Sequence, residues 1–395
     1  MEKLNDYFCI KAFGGIEIRA NGNVAMCCDM QNRFVDTDND LNLHKKSLDD
    51  IIHSPAWTQI RQNMLDNCPS AACTKCYENE RVGIKSQRQN SNNRFTNDAY
   101  FHAYNSDSDS HRLIDIDMKI GNVCNQMCVI CDSASSSMLY NEDLEIFGNA
   151  SSFKDKYWRN PAVWNQIVEQ FNNVKLINIY GGEPLLIKEV KEFLARLVDK
   201  NFAKNIEINF ATNGSIYDSE FFDILDNFKR RNILMSADGH KQVFEYSRYP
   251  ANWDQFFENL HKIKSRLLPT DFFGNAYTYN IYSVFDLVPA LEFYKTQLDF
   301  DFPVWLNPVN QSFYAINALP KKLKKQLTEQ IEATYNTEYL LAGSKNLKPI
   351  VNSMHTPMPK GSWQEFVRIT KQRDKIRGVN VLDVIPELEE YWHEN

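Results

Sequence analysis

The sequence lacks the features of nucleic-acid-binding, membrane and secreted proteins. It has no excess of basic residues, because 44 Lys and Arg stand against 51 Asp and Glu and give a net charge of −7. No uninterrupted apolar run approaches the roughly 18 residues that a transmembrane helix requires. Residues 1–15 lack a cationic stretch followed by an apolar one, so they do not resemble a secretory signal. We therefore expect a cytoplasmic protein that binds neither nucleic acid nor membranes.

Cysteine is absent after Cys131. The nine cysteines fall instead into two groups, six before residue 77 and three from Cys124 to Cys131. Evenly spread cysteines would suggest a disulfide framework. In a reducing compartment, clustered thiols favour metal or redox sites over disulfides.

The remaining composition is that of an ordinary globular protein, with 43% hydrophobic residues in a chain of 395. From residue 111 onward, apolar strand patterns alternate with helical patterns. The predicted strands are Leu113–Met118, Val174–Tyr180, Ile206–Ala211, Ile233–Ser236, Gly274–Tyr279 and Phe302–Leu306. This alternation predicts an α/β fold with a parallel sheet, in the form of a partial (β/α)6 TIM-like barrel. In such folds the chemistry lies at the carboxyl ends of the strands.

We expect three regions along the chain. They are a small N-terminal module with its linker at 1–110, the barrel at 111–310 and a helical C-terminal extension at 311–395. Within the module, Asn21-Gly22 predicts a hairpin turn. A helix is predicted from Ser47 to Met64, and the polar tract from Gln87 to Ser110 is predicted to be a connector.

The first chemical motif is Cys124-x3-Cys128-x2-Cys131, directly after the first predicted barrel strand. A loop there can fold three thiolates around one face of an iron–sulfur cube. A four-iron cluster normally takes four cysteines, so three ligands leave one iron open to another molecule. A zinc site with a borrowed fourth ligand and three unrelated thiols are the alternatives.

The second motif is Gly181-Gly182-Glu183-Pro184, directly after the second predicted strand. Paired glycines let a backbone approach a ligand closely, and the Glu183 carboxylate can accept a hydrogen bond from an ammonium group. A structural turn can also use two glycines.

Together, the two motifs resemble those of the radical S-adenosylmethionine (SAM) enzymes. The resemblance covers about residues 111–310 and implies a [4Fe–4S] cluster on Cys124, Cys128 and Cys131. It further implies that the methionine amine and carboxylate of SAM chelate the open iron. Reductive cleavage of SAM then yields a 5′-deoxyadenosyl radical that abstracts a hydrogen atom from the substrate.

The same resemblance implies further cofactor-binding residues at the strand ends. They are Gly181, Gly182, Glu183, Asn213, Ser236 and Arg248. Asn213 lies in a Thr-Asn-Gly turn, and Ser236 in a Ser-x-Asp-Gly segment that ends at Gly239. Arg248 matches an arginine that often pairs with the methionine carboxylate, a role suited to a guanidinium. Turn chemistry or surface solvation is the alternative role for each polar residue.

The N-terminal cysteines form a second constellation. Cys9-x12-Gly22-x4-Cys27, followed by Cys73-x2-Cys76, resembles half of the motif of SPASM/Twitch auxiliary-cluster domains. This resemblance implies an auxiliary [4Fe–4S] cluster on those four cysteines, although such domains commonly follow the barrel. Two further cysteines, Cys28 and Cys68, are surplus and could replace a ligand. Tetrahedral zinc on four thiolates, or no metal, are the alternatives.

The resemblance also implies partners. A flavodoxin or ferredoxin is expected as the reductant, and a peptide or protein side chain as the substrate, with a small metabolite or sugar as the alternative. A non-catalytic iron–sulfur electron carrier or a zinc-binding interaction protein would belong to another class. Neither would bind SAM, and neither would explain Glu183-Pro184.

Overall fold

The computed structural model describes residues 5–30, 41–81, 83, 85–97, 111–153, 156–309, 311–335 and 347–392. Its strands are β1 Gly15–Ile18, β2 Val24–Ala25, β3 Asp115–Lys119, β4 Leu176–Tyr180, β5 Glu207–Thr212, β6 Arg230–Met235, β7 Phe272–Tyr279 and β8 Val304–Pro308.

The helices that precede residue 230 are α1 Ile10–Gly14, α2 Leu48–Ile52, α3 Pro55–Leu65, α4 Thr74–Arg81, α5 Gln87–Phe95, α6 Tyr140–Phe147, α7 Pro161–Glu169, α8 Lys188–Asp199 and α9 Ser219–Leu225. Those that follow are α10 Lys241–Ser247, α11 Trp253–Ser265, α12 Leu287–Gln297, α13 Lys321–Tyr335, α14 Lys348–Met354 and α15 Ser362–Arg377. Among the described residues, no helix is long and apolar enough to cross a membrane.

The strands form a mostly parallel sheet in the order β2-β1-β3-β4-β5-β6-β7-β8. Only β1 and β2 pair antiparallel among the strand pairs whose register is described. All six strands predicted after residue 111 are present and alternate with helices. The predicted α/β fold is therefore confirmed.

Strand β3 shows how the sequence pattern produces this sheet. Successive side chains of a strand point to opposite faces. Ile116 and Met118 are fully buried on one face, whereas the carboxylates of Asp115 and Asp117 share the other. The sheet therefore has an apolar face and, along this strand, a charged one.

The chain divides into two compact units. The first unit comprises Met1–Asn122, Phe153–Phe210 and Glu220–Arg231, and the second comprises Val123–Ser152, Ala211–Ser219 and Asn232–Asn395. The division does not follow the order of the sequence. The three regions that we expect from the sequence therefore stay predictions.

In the first unit, the predicted N-terminal hairpin forms and also extends the sheet. Gly22 has a φ of 84°, a left-handed conformation that glycine adopts readily at a turn. Strand β1 pairs antiparallel with β2 and parallel with β3, with Ile16 opposite Ile116. The hairpin and the first predicted barrel strand thus belong to one sheet.

Two local predictions in this unit are wrong. The helix predicted from Ser47 to Met64 is divided into α2 and α3, because Pro55 cannot continue a helix from the preceding turn and instead begins the next one. The predicted polar connector begins with a helix, α5. A capping box of Ser86 and Gln89 stabilises its start. Residues 98–110 of that connector lie outside the described residues.

In the second unit, the predicted C-terminal helices form as α13 and α15. Helix α15 begins after Gly361 and ends at Arg377, before Gly378; both glycines have positive φ angles. Phe366 and Ile369 of α15 are fully buried. The C-terminal region therefore packs as part of the second unit.

Candidate metal centres

The cysteines of the first motif lie on a loop of the second unit that we call the cluster loop (residues 123–133). The Cys131 N–H donates to the carbonyl of Cys128 at 3.1 Å, which closes a turn between these two residues. The Ser136 hydroxyl donates to the carbonyl of Gln126 at 2.6 Å. Hydrogen bonds within and beside the loop thus set its backbone conformation.

The cluster loop is also bound to the end of helix α10. The Met127 N–H donates to the Tyr249 carbonyl at 2.6 Å, and the Val129 N–H donates to the Ser247 carbonyl at 2.9 Å. Because these bonds flank Cys128 on both sides, they fix the position of its backbone.

Two of the three thiols have a nitrogen donor beside the sulfur atom. Asn213 Nδ2 lies 3.8 Å from the Cys124 Sγ. Arg248 Nη1 lies 3.7 Å from the Cys128 Sγ, and its Nη2 donates to Asp238 at 2.6 Å. N–H donors of this kind stabilise negative charge on sulfur.

Two other side chains of the protein, Asp238 and Cys128, contact the Arg248 guanidinium. Its guanidinium is buried between Asp238 and Cys128, and its Nε has no hydrogen-bond partner among the described residues. The role of Arg248 toward a methionine carboxylate stays a prediction.

The pKa of Cys128 is lowered to about 7. The main cause is a hydrogen bond that the Cys131 thiol donates to the Cys128 sulfur. Burial raises the pKa of Cys128 and so opposes this shift, whereas the positive charge of Arg248 lowers it further. The same hydrogen bond raises the pKa of Cys131 well above its usual range. In the metal-free protein, Cys128 is therefore the first of this pair to ionise.

Asn213 and Ser236, two predicted cofactor contacts, both lie in the second unit. The Asn213 Oδ1 accepts hydrogen bonds from the N–H of Ser215 at 2.9 Å and from its hydroxyl at 2.6 Å. These bonds orient the amide so that its nitrogen donates to the Asn125 Oδ1 at 2.9 Å and also faces Cys124. Ser236 is half-buried directly after β6, and its N–H donates to the Thr212 carbonyl at 2.8 Å.

The Gly-Gly-Glu motif lies in the first unit, directly after β4. Gly181 and Gly182 have φ angles of 87° and 55°, which side-chain-bearing residues rarely adopt. A Cβ atom at Gly181 would lie 2.1 Å from the Cγ of Lys119. Glu183 is fully buried and accepts a hydrogen bond from the Leu185 N–H at 3.2 Å. The turn therefore requires its glycines and holds a buried carboxylate.

Four N-terminal cysteines of the first unit line one small cavity. They are the predicted auxiliary ligands Cys9, Cys27, Cys73 and Cys76. Cys28 and Cys68, the two surplus cysteines, are exposed and do not line this cavity. The structure therefore brings together the four thiols that the sequence resemblance selects from six.

Two cations also line the cysteine cavity, Lys11 and Arg88. The Lys11 Nζ is buried and lies 2.7 Å from Asp115 and 3.1 Å from Asp117. Arg88 Nη1 donates to the carbonyl of Phe8 at 3.0 Å. Charged groups of both signs therefore border the four thiols, because the Asp29 carboxylate also lines the cavity and Arg88 pairs with Glu80.

The thiols of the cavity resist ionisation when no metal is bound. Burial, followed by repulsion from Cys73, raises the pKa of Cys9 to about 12. Burial likewise raises the pKa of Cys73 to about 11, with repulsion from Cys76 as the second cause. Buried thiols of this kind need a metal to become thiolates. Four of them around one cavity fit a four-iron cluster, with one ligand per iron.

Within the described ranges, no group of three or more His, Cys, Asp or Glu side chains is arranged to hold a metal ion. A four-iron cluster spreads its ligands, because each thiolate binds a different iron. The two cysteine sets stay candidates for clusters because their thiols lie on one loop and around one cavity, respectively. Zinc remains the alternative for the N-terminal set.

Sequence reasoning missed several residues of these sites. Neither Gln126, which contacts Cys128, nor the cations Lys11 and Arg88 belong to a motif. Asp238 lies in the Ser-x-Asp-Gly segment, but that segment does not predict its ion pair with Arg248. Gln126 and Lys11 are close in sequence to a cysteine, and this proximity identifies neither the contact nor its partner.

Comparison with protein-family models identifies two domains in the chain. The model of the radical SAM superfamily matches residues 118–283. The model of the SPASM iron–sulfur cluster-binding domain matches residues 9–77. No curated protein matches the chain.

Several solved structures share a low level of similarity with the chain. A structure of native anSMEcpe with bound AdoMet is 17% identical, with a TM-score of 0.42, over 56% of this chain and 61% of that one. Streptococcus suis SuiB bound to S-adenosylmethionine is 15% identical, with a TM-score of 0.39, over 72% of this chain and 59% of that one. The chain thus spans about three fifths of the length of these proteins. The two matches therefore identify a radical SAM domain over residues 118–283 and, ahead of it in the sequence, an iron–sulfur cluster-binding domain over residues 9–77.

Proposed function

We propose that this protein cleaves SAM reductively at a [4Fe–4S] cluster on Cys124, Cys128 and Cys131, and that the resulting radical abstracts a hydrogen atom from a substrate. One observation carries most of the support. The three cysteines lie on a hydrogen-bonded loop in which Asn213 and Arg248 direct N–H groups at two of the sulfur atoms.

In the second unit, N–H donors beside the cysteines favour the binding of a cluster by this loop. Donors beside Cys124 and Cys128 stabilise the thiolate form that iron binding requires. A cluster held by these cysteines would supply the electron for cleavage of the sulfonium bond of SAM. Arg248 keeps a positive charge at the thiolates and is itself held in place by Asp238.

For SAM itself, we propose the contacts that the family resemblance implies. Glu183 is a fully buried carboxylate and would accept hydrogen bonds from the methionine ammonium group. The backbone of Gly181 and Gly182 would approach the same group. Asn213, Ser236 and the Nε of Arg248, which has no partner among the described residues, are the further proposed contacts. These roles rest on the family resemblance and on the burial of Glu183 and Arg248.

The N-terminal cavity would hold an auxiliary [4Fe–4S] cluster through Cys9, Cys27, Cys73 and Cys76. The four thiols line one cavity together with two cations, Lys11 and Arg88, and one carboxylate, Asp29. Since a four-iron cluster on four thiolates carries net negative charge, the two cations would favour its binding and Asp29 would oppose it.

The substrate class follows from the resemblance alone. Relatives with an auxiliary cluster often modify peptides or protein side chains, and we propose a substrate of that class. A small metabolite or sugar is the other candidate. We further propose a flavodoxin or ferredoxin as the electron source and a location in the cytoplasm.

Anaerobic reconstitution tests this function. The wild-type protein with reconstituted clusters, SAM and dithionite should form 5′-deoxyadenosine, which chromatography with mass detection measures. Cys128→Ala should abolish the product, because it removes an iron ligand. Cys68→Ala is the matched control, since Cys68 is an exposed thiol outside both cysteine sets and its loss should leave the yield unchanged.

Two outcomes would contradict the proposal. One is a wild-type protein that is loaded with iron but forms no 5′-deoxyadenosine. The other is equal product from wild type and Cys128→Ala. Deuterium transfer from labelled candidate peptides or metabolites into 5′-deoxyadenosine then distinguishes the two substrate classes.

A further inference from the structure

The side chain of Gln126 is buried in the cluster loop between two of the cysteines. It is 1% exposed, and its Oε1 lies 3.7 Å from the Sγ of Cys128, which donates its S–H. Its Nε2 is buried and has no hydrogen-bond partner among the described residues. A buried N–H group without a partner is rare in folded proteins, because its lost hydration is not replaced.

Binding of iron changes what the sulfur of Cys128 can do. A cysteine on iron is a thiolate, so it has no S–H and can only accept hydrogen bonds. The existing contact would then place the oxygen of Gln126 against a negatively charged sulfur. That arrangement is repulsive.

Rotation of the Gln126 carboxamide by half a turn resolves both problems. The exchange of Oε1 and Nε2 keeps the shape of the side chain and places an N–H donor against the sulfur. The oxygen takes the position of the unpaired nitrogen. A buried carbonyl oxygen without a partner is tolerated more often than a buried N–H.

The neighbouring cysteine shows the same arrangement already formed. Asn213 directs its Nδ2 at the Sγ of Cys124, and the bonds from Ser215 to its Oδ1 fix the amide in that orientation. Arg248 supplies a further donor to Cys128. Gln126 would therefore complete a set of N–H donors around these two sulfur atoms.

We propose that Gln126 is a positioning residue whose Nε2 donates to the Sγ of Cys128 when that cysteine binds the cluster. This inference rests on the proposed function. Reduction adds negative charge to the cluster, and an N–H donor stabilises that charge. Gln126 therefore raises the reduction potential of the cluster that cleaves SAM.

The test measures the midpoint potential of this cluster in the full-length protein by redox titration with electron paramagnetic resonance. The relevant signal is the one that added SAM perturbs. Gln126→Leu, which has a similar volume and no donor, should shift the midpoint to a more negative value with unchanged iron content. Gln255→Leu is the matched control, because Gln255 is a nearby carboxamide that donates to Asn259, and its midpoint should equal that of wild type.

A second variant guards against poor folding of the first. Gln126→Glu retains the shape but, when ionised, offers no N–H, so its midpoint should also move to a more negative value. If both loaded variants keep the wild-type midpoint, the inference is wrong while the proposed function stands. If wild type shows no signal that SAM perturbs, the proposed function itself is wrong. Failure of both variants to take up iron, with wild-type folding by circular dichroism, would show a structural role instead and would also overturn the inference.

Discussion

Removal of the Glu142 carboxylate should destabilise the second unit strongly. Glu142, on helix α6, binds two arginines of helix α15. Its Oε1 accepts from the Nε of Arg373 at 2.9 Å and from the Nη2 of Arg377 at 2.7 Å, and its Oε2 accepts from the Nε of Arg377 at 2.7 Å. All three side chains are at most 2% exposed.

The expected cost follows from this burial. In Glu142→Ala, two guanidinium groups stay buried without their carboxylate, and breaking a buried ion pair costs about 3–5 kcal/mol. Arg373 keeps two hydrogen bonds in this variant, because it still donates to the hydroxyl groups of Tyr282 and Tyr314, at 3.1 and 2.9 Å. The cost should therefore be that of one broken ion pair and not of two. We therefore expect Glu142→Ala to lower the free energy of unfolding by about 3–5 kcal/mol.

The assay is thermal and urea unfolding of the full chain, followed by circular dichroism. Glu365→Ala is the control, because Glu365 pairs with Arg368 on the same helix but both side chains are at least 40% exposed. Exposed pairs contribute about 0–1 kcal/mol, so this variant should unfold almost like wild type. Equal stability of the Glu142 and Glu365 variants would refute the assignment of the buried arginine pair as a main stabilising contact.

Two further predictions concern the first unit. Lys11→Met should lower the free energy of unfolding by about 3–5 kcal/mol, because Asp115 and Asp117 lose their buried cation. Lys75→Met is the control, because it disrupts a half-exposed pair with Asp29, and it should lower the free energy of unfolding by no more than about 1 kcal/mol in the same assay. A loss no larger than that of the control would contradict the first prediction. Burial lowers the pKa of His111 from 6.5 to about 3, so this histidine stays neutral in the folded state. Between pH 6.5 and about pH 3, only the unfolded state binds a proton on this histidine. The free energy of unfolding should therefore fall with falling pH in this range, by up to about 1.4 kcal/mol per pH unit. His111→Asn should flatten this part of the stability profile, and identical pH profiles for variant and wild type would exclude the effect.

Local sequence patterns predicted the strands well, because each strand forms from a short run with a characteristic alternation. Ile116 and Met118, for example, mark β3 without any knowledge of its neighbours. The pairing of β1 with β3 was not predictable in this way, since it joins residues about a hundred positions apart. Helix α5 was missed because its sequence, Gln87–Phe95, is polar, and the capping box at Ser86 was overlooked.

The same distinction between residues close in sequence and residues distant in sequence applies to the candidate sites. Motif spacing selected the cysteines and the Gly-Gly-Glu turn, since those residues are close in sequence. The partners that hold them are distant in sequence and leave no periodic signal. Asp238 binds Arg248, and Asp115 and Asp117 bind Lys11, only because the fold brings them together. Buried charges of this kind become visible only in the three-dimensional structure.

The metal content of the anaerobically reconstituted chain tests the central claim most directly. Two four-iron clusters predict about eight iron atoms per chain, and Cys128→Ala and Cys73→Ala should each retain about four. The same elemental analysis detects zinc. About four iron atoms in wild type, with no loss in Cys73→Ala, would contradict the auxiliary cluster. Zinc in place of the second set of four iron atoms would assign the N-terminal cysteines to a zinc site. No loss of iron in Cys128→Ala would contradict the cluster on which the proposed chemistry depends.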